Sequence, residues 1–470
     1  MSLIRSGPRL IALAFYTIGL FWQQNLTGRQ LFLCKDSESK EFCEKGSRIF
    51  DKTNGRARKT EIVTKRTLTL SFVCLLTLSG ASSAVTLTAQ QQLGKYLFFD
   101  QTLSINGNQA CSVCHGPDAG WTGPDQTINQ HGGIYEGSIP GRFGNRKPPS
   151  AAYAAFSPIF RSSRKAGGIR EFIGGHFWDG RATGEKLDNP AADQAQGPFL
   201  NPLEQALSDP SEVVSRVCAG NYANLFLQVC GQDACGLANT NAAFNCLALA
   251  IAAYEASREV SPFTSKFDAY IAGKATLTKQ EKKGLSLFHG NLFSDKAKCA
   301  GCHVDTGKSP LFTDFTYDNL GVPRNPENPF YNEPAFNPLG SAWIDQGLGG
   351  VLQTRKDYYE KYGKKTLGKF KVPTLRNVDK RPTPDFVKAY SHNGFFKSLK
   401  SIVHFYNTRD VLPVCPEGFT EAQALANNCW PAPEVSLNLN TREMGNLGLT
   451  PEEEDAIVAF LKTLSDGYVP

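Results

Sequence analysis

The sequence predicts a mainly α-helical fold of two similar halves, with long loops and few short strands. The chain has 470 residues, 41% hydrophobic and 20% charged, which is enough for two globular domains with their own cores. A short amphipathic helix, a polar loop and a Cys-x-x-Cys-His motif follow one another twice, at residues 93–115 and 283–303. Elsewhere Gly and Pro interrupt most segments and leave room only for short strands. We therefore expect one domain over residues 85–265 and a second over residues 266–470, with the boundary within residues 261–279.

Several elements can be placed from their own signals. Two helices between the motifs are expected at residues 211–217 and 242–256. The helix before the second motif begins at Thr278 with a Glu three residues later, a capping box in which both side chains bind unpaired backbone N–H groups. The last helix begins in the same way at Thr450, with Pro at its first position and an apolar stripe at helical spacing. Residues 306–350, rich in Asn, Pro and Gly, are expected to form a long loop.

Residues 1–84 form a basic leader. They contain 13 Lys/Arg and 6 Asp/Glu, so the formal net charge of +6 becomes −1, from 37 basic and 38 acidic residues, in the rest of the chain. Because the body is not basic, the sequence gives no reason to expect a nucleic-acid partner. The apolar run 68–78 follows two basic residues and precedes the small residues 81–84, which is the layout of a secretory signal. We expect cleavage after Ala84, export to the periplasm and no membrane-spanning segment in the mature protein.

The start of the leader has two interpretations. A second apolar run, residues 10–22, precedes a polar stretch at residues 36–61 that does not suit a signal peptide. One interpretation is that translation begins near Val63, so that residues 1–62 are not translated. The other is a long signal anchor that begins at Met1. The N-terminal sequence of the precursor distinguishes the two.

The two Cys-x-x-Cys-His motifs predict covalently attached haem. They comprise Cys111, Cys114 and His115, and Cys299, Cys302 and His303. This spacing lets two thiols on one helical turn add to the vinyl groups of haem, while the adjacent imidazole binds the iron. The His and the absence of a βαβ pattern exclude a thioredoxin-like pair, and the wide separation of the two motifs disfavours a zinc site. Two copies in an exported chain predict two haem c groups.

The remaining cysteines predict disulfides. Three of the thirteen lie in the leader and four in the motifs, and the other six are Cys218, Cys230, Cys235, Cys246, Cys415 and Cys429. An even remainder in an exported protein indicates up to three disulfides. The last two cysteines bracket a Pro-rich loop and are expected to pair, whereas the connectivity of the first four is left open.

Five short blocks accompany the two motifs in a fixed order. They are Phe-Trp-Asp-Gly-Arg at 177–181, Gly-Pro-Phe-Leu-Asn-Pro at 197–202, Val-Pro-Thr-Leu-Arg-Asn at 372–377, Tyr-Ser-His-Asn-Gly at 390–394 and Met-Gly-Asn-Leu-Gly at 444–448. With these blocks, residues 93–466 resemble the bacterial di-haem cytochrome c peroxidase family, which includes the MauG-type maturation enzymes. The resemblance implies two cytochrome c-like domains, with peroxide reacting at the N-terminal haem and electrons arriving at the C-terminal haem.

The resemblance also implies roles for three residues near the N-terminal haem. Trp178 would lie between the haems as an electron bridge. Glu204 would lie above the N-terminal haem, and Gln194 would help to hold water or peroxide there. Cleavage of a peroxide O–O bond needs a base that takes one proton and delivers it to the departing oxygen. Glu204 is the candidate for that acid–base role.

Met444 is the candidate second ligand of the C-terminal haem iron. It is the only methionine besides Met1, although core packing normally draws on many. A thioether opposite His303 would give a His/Met iron of raised potential, suited to electron transfer. MauG-type enzymes have a Tyr at this position, so Met444 favours the peroxidase branch. The rival ligands are His392 and His404, in blocks that also suit packing and contact with haem propionates.

Two further residues match ligand positions of the family. His131 follows His115 by sixteen residues, the family's spacing for a removable second ligand of the N-terminal haem iron. Ligation by His131 at rest would make activity depend on prior reduction of the other haem. Asn145 matches a calcium site between the domains, whose other ligands are mostly backbone carbonyls and leave no trace in the sequence.

The sequence predicts a peroxidase that reduces hydrogen peroxide to water with electrons from a small cytochrome c or a cupredoxin. The alternative is a MauG-like enzyme that uses peroxide to oxidise a residue, such as Trp, on a partner protein. A non-enzymatic di-haem electron carrier is less favoured, because a carrier needs neither Glu204 nor an open haem face. A body of charge −1 with four haem propionates suits a basic donor. The resemblance allows a homodimer, although no sequence feature marks an interface.

Overall fold

The computed structural model describes residues 86–164, 170–290 and 296–469, which belong to one compact unit. The leader and the expected cleavage after Ala84 lie outside the described residues. None of the helices in the described ranges is long and apolar enough to cross a membrane. The division into domains at 85–265 and 266–470 stays a prediction.

The described elements are mostly helices. In chain order the α-helices are α1 (Ala89–Phe99), α2 (Cys111–Cys114), α3 (Gln126–Gln130), α4 (Pro190–Leu200), α5 (Pro210–Ala219), α6 (Ala223–Cys230), α7 (Thr240–Glu255), α8 (Lys266–Ile271), α9 (Lys279–His289), α10 (Gly347–Thr354), α11 (Leu399–Thr408), α12 (Glu421–Ala426) and α13 (Pro451–Lys462). Two antiparallel pairs of short strands accompany them, β1 (Arg161–Arg164) with β2 (Arg170–Ile173), and β3 (Tyr317–Asp318) with β4 (Phe370–Lys371). The predicted mainly helical fold with few short strands is confirmed.

The sequence signals placed several of these elements correctly. The helices expected at 211–217 and 242–256 correspond to α5 and α7. The capping box of α9 is present, because the Thr278 hydroxyl accepts from the third helical N–H at 3.2 Å while the carboxylate three residues later accepts from the Thr278 N–H at 2.7 Å. The Thr450 capping box and the Pro at the start of α13 are also present. The expected long loop at 306–350 is irregular apart from β3, short 3₁₀ turns and the start of α10.

A close helix contact occurs once in each half of the chain. In the first half, α1 packs on α7 with Gly94 so near that a Cβ there would lie 1.9 Å from the carbonyl oxygen of Ala250. In the second half, α9 packs on α13, and a Cβ at Gly284 would lie 1.9 Å from the carbonyl oxygen of Ala456. Only glycine permits either approach. The repeat seen in the sequence is therefore a repeat of packing as well.

Buried hydrophobic side chains form two large clusters and a smaller one. The first cluster draws on residues 93–260 and the second on residues 267–464. The third consists of Phe160, Phe172, Tyr317, Leu348 and Leu352. The two large clusters follow the two halves of the sequence, and the small one lies where strands of both halves meet, because Ile173 also bridges to Thr316.

Within the described residues, three disulfides connect segments of the two halves. Cys415 pairs with Cys429, as predicted. The four cysteines whose connectivity the sequence left open pair as Cys218 with Cys235 and Cys230 with Cys246. These two bridges connect α5 to the loop before α7, and α6 to α7, which closes short chain loops and so restricts the unfolded state.

A buried ion pair between Arg376 and Asp268 connects the second half to the first. The Arg376 side chain is 1% exposed, and its guanidinium donates to both carboxylate oxygens of Asp268 at 2.7 and 2.9 Å. It also donates to the carbonyl of Pro310 at 2.6 Å and lies over the ring of Tyr153. Because Tyr153 belongs to the first half, the pair couples α8 and the 372–377 block to that half.

Candidate functional site

Each Cys-x-x-Cys-His motif ends in a histidine whose ring is oriented by a backbone carbonyl. His115 Nδ1 lies 3.2 Å from the carbonyl oxygen of Trp121, and His303 Nδ1 lies 2.9 Å from that of Phe312. A carbonyl can only accept, so Nδ1 carries the hydrogen and Nε2 keeps its lone pair. Metal-binding histidines are commonly oriented in this way. Both side chains are thus prepared to bind iron through Nε2.

The four cysteines of the motifs lie beside these histidines, and none of them is part of the three disulfides of the described residues. Cys111 and Cys114 are on α2, whereas Cys299 opens a 3₁₀ turn that is followed by Cys302. Burial raises the pKa of Cys111 and of Cys299 to about 12. At neutral pH the Cys111 and Cys299 thiols are therefore protonated.

A cavity of about 700 Å³ opens beside the second motif. His303 lines it together with both motif cysteines, and Met444 lines it as well. Its volume lies in the range of small-molecule and cofactor sites. A ligand in this cavity would therefore contact the second motif and Met444 together.

Met444 is buried, and the residue after it is hydrogen-bonded to α11. Its side chain is 3% exposed, and the N–H of the following Gly445 donates to the carbonyl of Tyr406 at 2.6 Å. The rival histidines have other contacts: His404 Nδ1 lies 2.9 Å from a carboxylate oxygen of Glu454, and the ring of His392 stacks on Phe370 with 3.5 Å between ring centres. His404 is thus paired elsewhere, whereas His392 lines the same cavity as Met444 and its buried Nε2 has no hydrogen-bond partner, so Met444 as the iron ligand stays a prediction.

Glu204 faces the first motif. The half-buried carboxylate accepts a hydrogen bond from the Asn201 amide at 2.7 Å. Burial raises the pKa of Glu204, an effect partly opposed by the charge of Arg181 and by the Asn201 hydrogen bond. Burial raises the pKa of Cys114 most, and the charge of Glu204 is the second cause. The Glu204 carboxylate therefore lies close to that thiol. Gln194 is half-buried on α4, and no described contact joins it to Glu204.

Trp178 is anchored to both halves of the chain. Its indole N–H donates to the carbonyl of Lys147 at 2.8 Å, and its own carbonyl accepts from the N–H of Lys371 at 2.8 Å. Asp179, the next residue, is bound by the Arg146 guanidinium, which also binds Asp345. The indole lines the 700 Å³ cavity. Its backbone and ring are therefore held by one residue from each half of the chain.

His176 is a site residue that the sequence analysis missed. It is 5% exposed and lines the same cavity. Its Nδ1 accepts from the Phe177 N–H at 3.0 Å, so the hydrogen of the neutral ring is on Nε2, which is buried without any hydrogen-bond partner. Burial, and then the charges of Lys371 and His115, lower the pKa of His176 to about 3. The only signal in the sequence was its position directly before the 177–181 block.

The orphaned His176 N–H and two nearby lysines fit a haem. A buried donor without an acceptor costs free energy, and a haem propionate is an acceptor. Lys147 and Lys371 line the same cavity, and burial lowers their pKa values to about 7 and about 8. The Lys147 ammonium donates to the Thr122 hydroxyl at 2.7 Å and to no described carboxylate. Donors and cations around a cavity that contains a Cys-x-x-Cys-His motif match the two carboxylates of a haem.

His131 and Asn145 have contacts in the structure that differ from the predicted metal ligation. The His131 side chain is 71% exposed, with Nδ1 3.7 Å from a carboxylate oxygen of Glu327. The carbonyl of Asn145 accepts from the Asn328 amide at 3.1 Å. No group of three or more His, Cys, Asp or Glu side chains in the described ranges could hold a metal ion. Ligation by His131 and calcium at Asn145 therefore stay predictions.

Comparisons with known proteins agree with this site. Residues 88–276 match the family described as di-haem cytochrome c peroxidase. The chain is 34% identical over 390 residues to the methylamine utilization protein MauG of Paracoccus denitrificans, which covers 80% of this chain and 88% of that protein. It is 28% identical over 319 residues to the cytochrome c551 peroxidase of Pseudomonas aeruginosa, which covers 67% of this chain and 70% of that protein.

Solved structures show the same relationship. The diheme peroxidase BthA from Burkholderia thailandensis aligns with a TM-score of 0.64 at 28% identity, over 80% of this chain and 86% of that one. A MauG-like protein associated with microbial copper homeostasis has a TM-score of 0.52 at 23% identity, over 81% of this chain and 91% of that one, and shows the fold alone. The chain therefore belongs to the di-haem cytochrome c peroxidase/MauG family, a family of oxidoreductases that carry haem c.

Proposed function

We propose that the protein is a periplasmic peroxidase that reduces hydrogen peroxide to water with electrons from a small cytochrome c or a cupredoxin. The two halves act as cytochrome c-like domains, with one haem attached at Cys111 and Cys114 and the other at Cys299 and Cys302. The observation that carries the proposal is Met444, which is buried on the same cavity as His303. A His/Met pair raises the potential of an iron and closes it to peroxide, which leaves peroxide reduction to the other half.

The bound haem supplies the redox chemistry, and Glu204 moves the protons of the reaction. As a carboxylate it takes a proton from one peroxide oxygen and gives it to the other, which departs as water, and two electrons from the donor with two further protons turn the remaining oxygen into a second water. Asn201 orients the carboxylate through the 2.7 Å hydrogen bond. Arg181 lies above the ring of Phe177, 3.7 Å from its centre, and offsets part of the effect of burial on the pKa of Glu204. Gln194 is proposed to hold water or peroxide in the same space.

Trp178 is proposed to connect the two halves electronically. Its indole N–H donates to the Lys147 carbonyl, and its backbone carbonyl accepts from the Lys371 N–H, so both its ring and its backbone are held. The neighbouring His176 would donate its Nε2–H to a propionate, with Lys371 supplying the matching positive charge. These contacts would fix the distance between Trp178 and the haem, which governs the rate of electron transfer.

His131 and Asn145 complete the proposal. His131 would bind the N-terminal iron in the oxidised resting protein, which requires it to leave Glu327. Asn145 would bind calcium together with backbone carbonyls. If His131 acts in this way, its replacement by Ala should give an oxidised enzyme that reacts with peroxide without prior reduction.

Steady-state turnover tests the proposal. Hydrogen peroxide and a reduced small c-type cytochrome should be consumed in a ratio of one to two, because each cytochrome supplies one electron. The control is the variant Met444→Tyr, which should lose turnover with the cytochrome but keep both haem groups. Absence of peroxide turnover by the fully loaded parent protein, in the presence of reduced donor, would contradict the proposal.

A second candidate function is a MauG-like oxidation of a partner protein. The identity of 34% to MauG, higher than the 28% to the cytochrome c551 peroxidase, favours it. An enzyme of this kind should consume peroxide slowly with reduced cytochrome and should instead modify a Trp on a specific protein. Mass spectrometry of periplasmic proteins after incubation with the loaded enzyme and peroxide distinguishes the two functions.

A further inference from the structure

One surface of the protein combines exposed tyrosines with cations. Tyr358 is 51% exposed, and its hydroxyl lies 3.1 Å from the hydroxyl of Tyr362. The Arg170 guanidinium donates to the Tyr358 hydroxyl at 3.1 Å and lies 5.1 and 5.4 Å from the centres of the two rings. The Lys361 ammonium lies 3.8 Å from the centre of the Tyr358 ring. Residues 355–365 together with Arg170 are called the tyrosine surface below.

The tyrosine surface is opposite in sign to the body of the protein. Residues 355–365 contain five Lys/Arg and two Asp/Glu, whereas the chain after the leader has a net charge of −1. Arg355 is paired with Asp357 and Glu185. The exposed side chains of Lys356, Lys364 and Lys365 have no ion-pair partner in the described ranges. The cations are therefore available to a partner.

Aromatic rings connect this surface to the haem cavity. Tyr359 lies 6.0 Å from Phe160 between ring centres, and Phe160 lies 6.1 Å from the buried Tyr317. Tyr317 is in β3, directly opposite Lys371 of β4, and Lys371 binds the carbonyl of Trp178. The rings belong to the third hydrophobic cluster, which thus lies between the tyrosine surface and the wall of the cavity.

We propose that the tyrosine surface is the docking site of an acidic redox protein that donates electrons to the haem beside Trp178. Tyr and Arg are the side chains most enriched at the energetic centres of interfaces, and here they are surrounded by unpaired lysines. Such lysines attract a negatively charged partner and raise the rate of encounter. The net charge of the body suggests a basic donor, but the charge at this surface selects an acidic one.

The electron balance follows from the proposed peroxidase function, on which this inference rests. Each docked donor is oxidised by one electron and reduces one haem iron by one electron. Two donors and two protons convert one hydrogen peroxide into two waters. The docking step itself involves no peroxide, so it can be measured separately.

The experiment compares two charge-reversed variants of the haem-loaded protein. The first replaces Lys361, Lys364 and Lys365 by Glu. The control replaces Lys279, Lys282 and Lys283 of α9 by Glu, three exposed residues that give the same change in net charge. Reduction of the haem is followed by stopped flow without peroxide, with a reduced cupredoxin of net negative charge, a lysine-rich cupredoxin and ascorbate.

The acidic cupredoxin should reduce the first variant at least tenfold more slowly than the parent, while the control changes little. Added salt should slow the parent and leave the first variant almost unaffected. Ascorbate should reduce all three proteins at similar rates, which shows that the haem sites are intact. Equal slowing in both variants, or faster reduction of the parent by the lysine-rich cupredoxin than by the acidic one, would overturn the proposal. Loss of peroxide turnover with normal reduction by the acidic cupredoxin would refute the peroxidase function and leave the docking site standing.

Discussion

The two halves of the molecule share the surroundings of the motif histidine and differ in a second residue near the motif. Gly94 and Gly284 permit the same close helix contact, and His115 and His303 have the same hydrogen bond from Nδ1 to a backbone carbonyl. Met444 lines the cavity beside the second motif, whereas Glu204 lies near the first motif. The repeated sequence sets the shared side, and the side that differs underlies our proposal that one half transfers electrons and the other transfers protons.

A second difference lies on the paired helices themselves. Ala250 and Ala456 occupy matching positions, so Glu255 of α7 corresponds to Leu461 of α13. Leu461 lines the 700 Å³ cavity, whereas Glu255 is 5% exposed and has one carboxylate oxygen without a partner. A buried acid in place of a leucine costs stability once it must ionise. At this helix position the first half therefore has a titratable group that the second half lacks.

The largest expected effect is that of Glu204→Gln, which removes the group that distinguishes the first half. Loss of a positioned acid–base group lowers the rate by about 10²–10⁴-fold. The kcat for peroxide with a reduced cytochrome measures the effect, and Glu212→Gln on α5 is the control. The absorption and resonance spectra of the Met444 haem should not change. A kcat within twofold of the parent would remove Glu204 from the mechanism.

The pH dependence of the same reaction sharpens the assignment. Burial raises the pKa of Glu204 above the ordinary glutamate value, and only the ionised carboxylate can take a proton from peroxide. Hence kcat/KM should rise with pH through an apparent pKa above the ordinary value, and this rise should disappear in Glu204→Gln. A profile that is unchanged by the substitution would assign the titration to another group.

The next effect concerns Glu255. In the folded protein burial raises its pKa to about 8, compared with an ordinary value of 4.5. The unfolded chain loses the proton first, so the free energy of unfolding falls as pH rises from about 4.5 to about 8, in total by roughly 4 kcal/mol. Glu255→Leu should abolish this decrease and be more stable than the parent at alkaline pH. Urea unfolding of the loaded protein at a series of pH values measures it.

The variant Glu255→Gln provides the control for that experiment, because it keeps the shape of the side chain but cannot ionise. Both variants should show the same flat dependence on pH, although the glutamine variant retains a buried polar group and is less stable than the leucine variant. A decrease of parental size in both variants would show that Glu255 is not the group responsible.

The smallest expected effect is on stability, and it tests whether the helix contacts at Gly94 and Gly284 are equivalent. Gly94→Ala and Gly284→Ala each place a Cβ against a backbone carbonyl, and overpacking of this kind costs about 1–3 kcal/mol. The two losses in unfolding free energy should agree within about 1 kcal/mol. Gly144→Ala, where nothing lies within 4 Å of the added Cβ, is the control. A large loss at one site and none at the other would mean that only one of the two helix contacts supports its half.

The sequence predicted the features that depend on local chemistry. The motifs, the capping boxes at Thr278 and Thr450, and the Cys415–Cys429 pair follow from spacing alone, and the structure confirms those caps and that disulfide. Met444 could be named because a rare residue in a defined block leaves few alternatives.

Other features depend on contacts between distant segments, and no local pattern reveals them. His176 becomes notable only because tertiary packing buries its Nε2–H without a partner, and the aromatic route from Tyr359 to Tyr317 joins residues about forty positions apart in the sequence. The pairing of Cys218, Cys230, Cys235 and Cys246 also required the fold, since several connectivities satisfy the same spacing.

The central claim is that the haem of the second half is a His/Met site and that of the first half is not. Electron paramagnetic resonance of the oxidised, haem-loaded protein tests it most directly, with Met444→Leu as the comparison and the methionine–iron absorption band as a second readout. We expect the low-spin signal and the band of a His/Met iron in the parent, and loss of both in Met444→Leu with the signal of the other haem unchanged. A His/Met signal that survives Met444→Leu, or that is absent from the parent, would contradict the account.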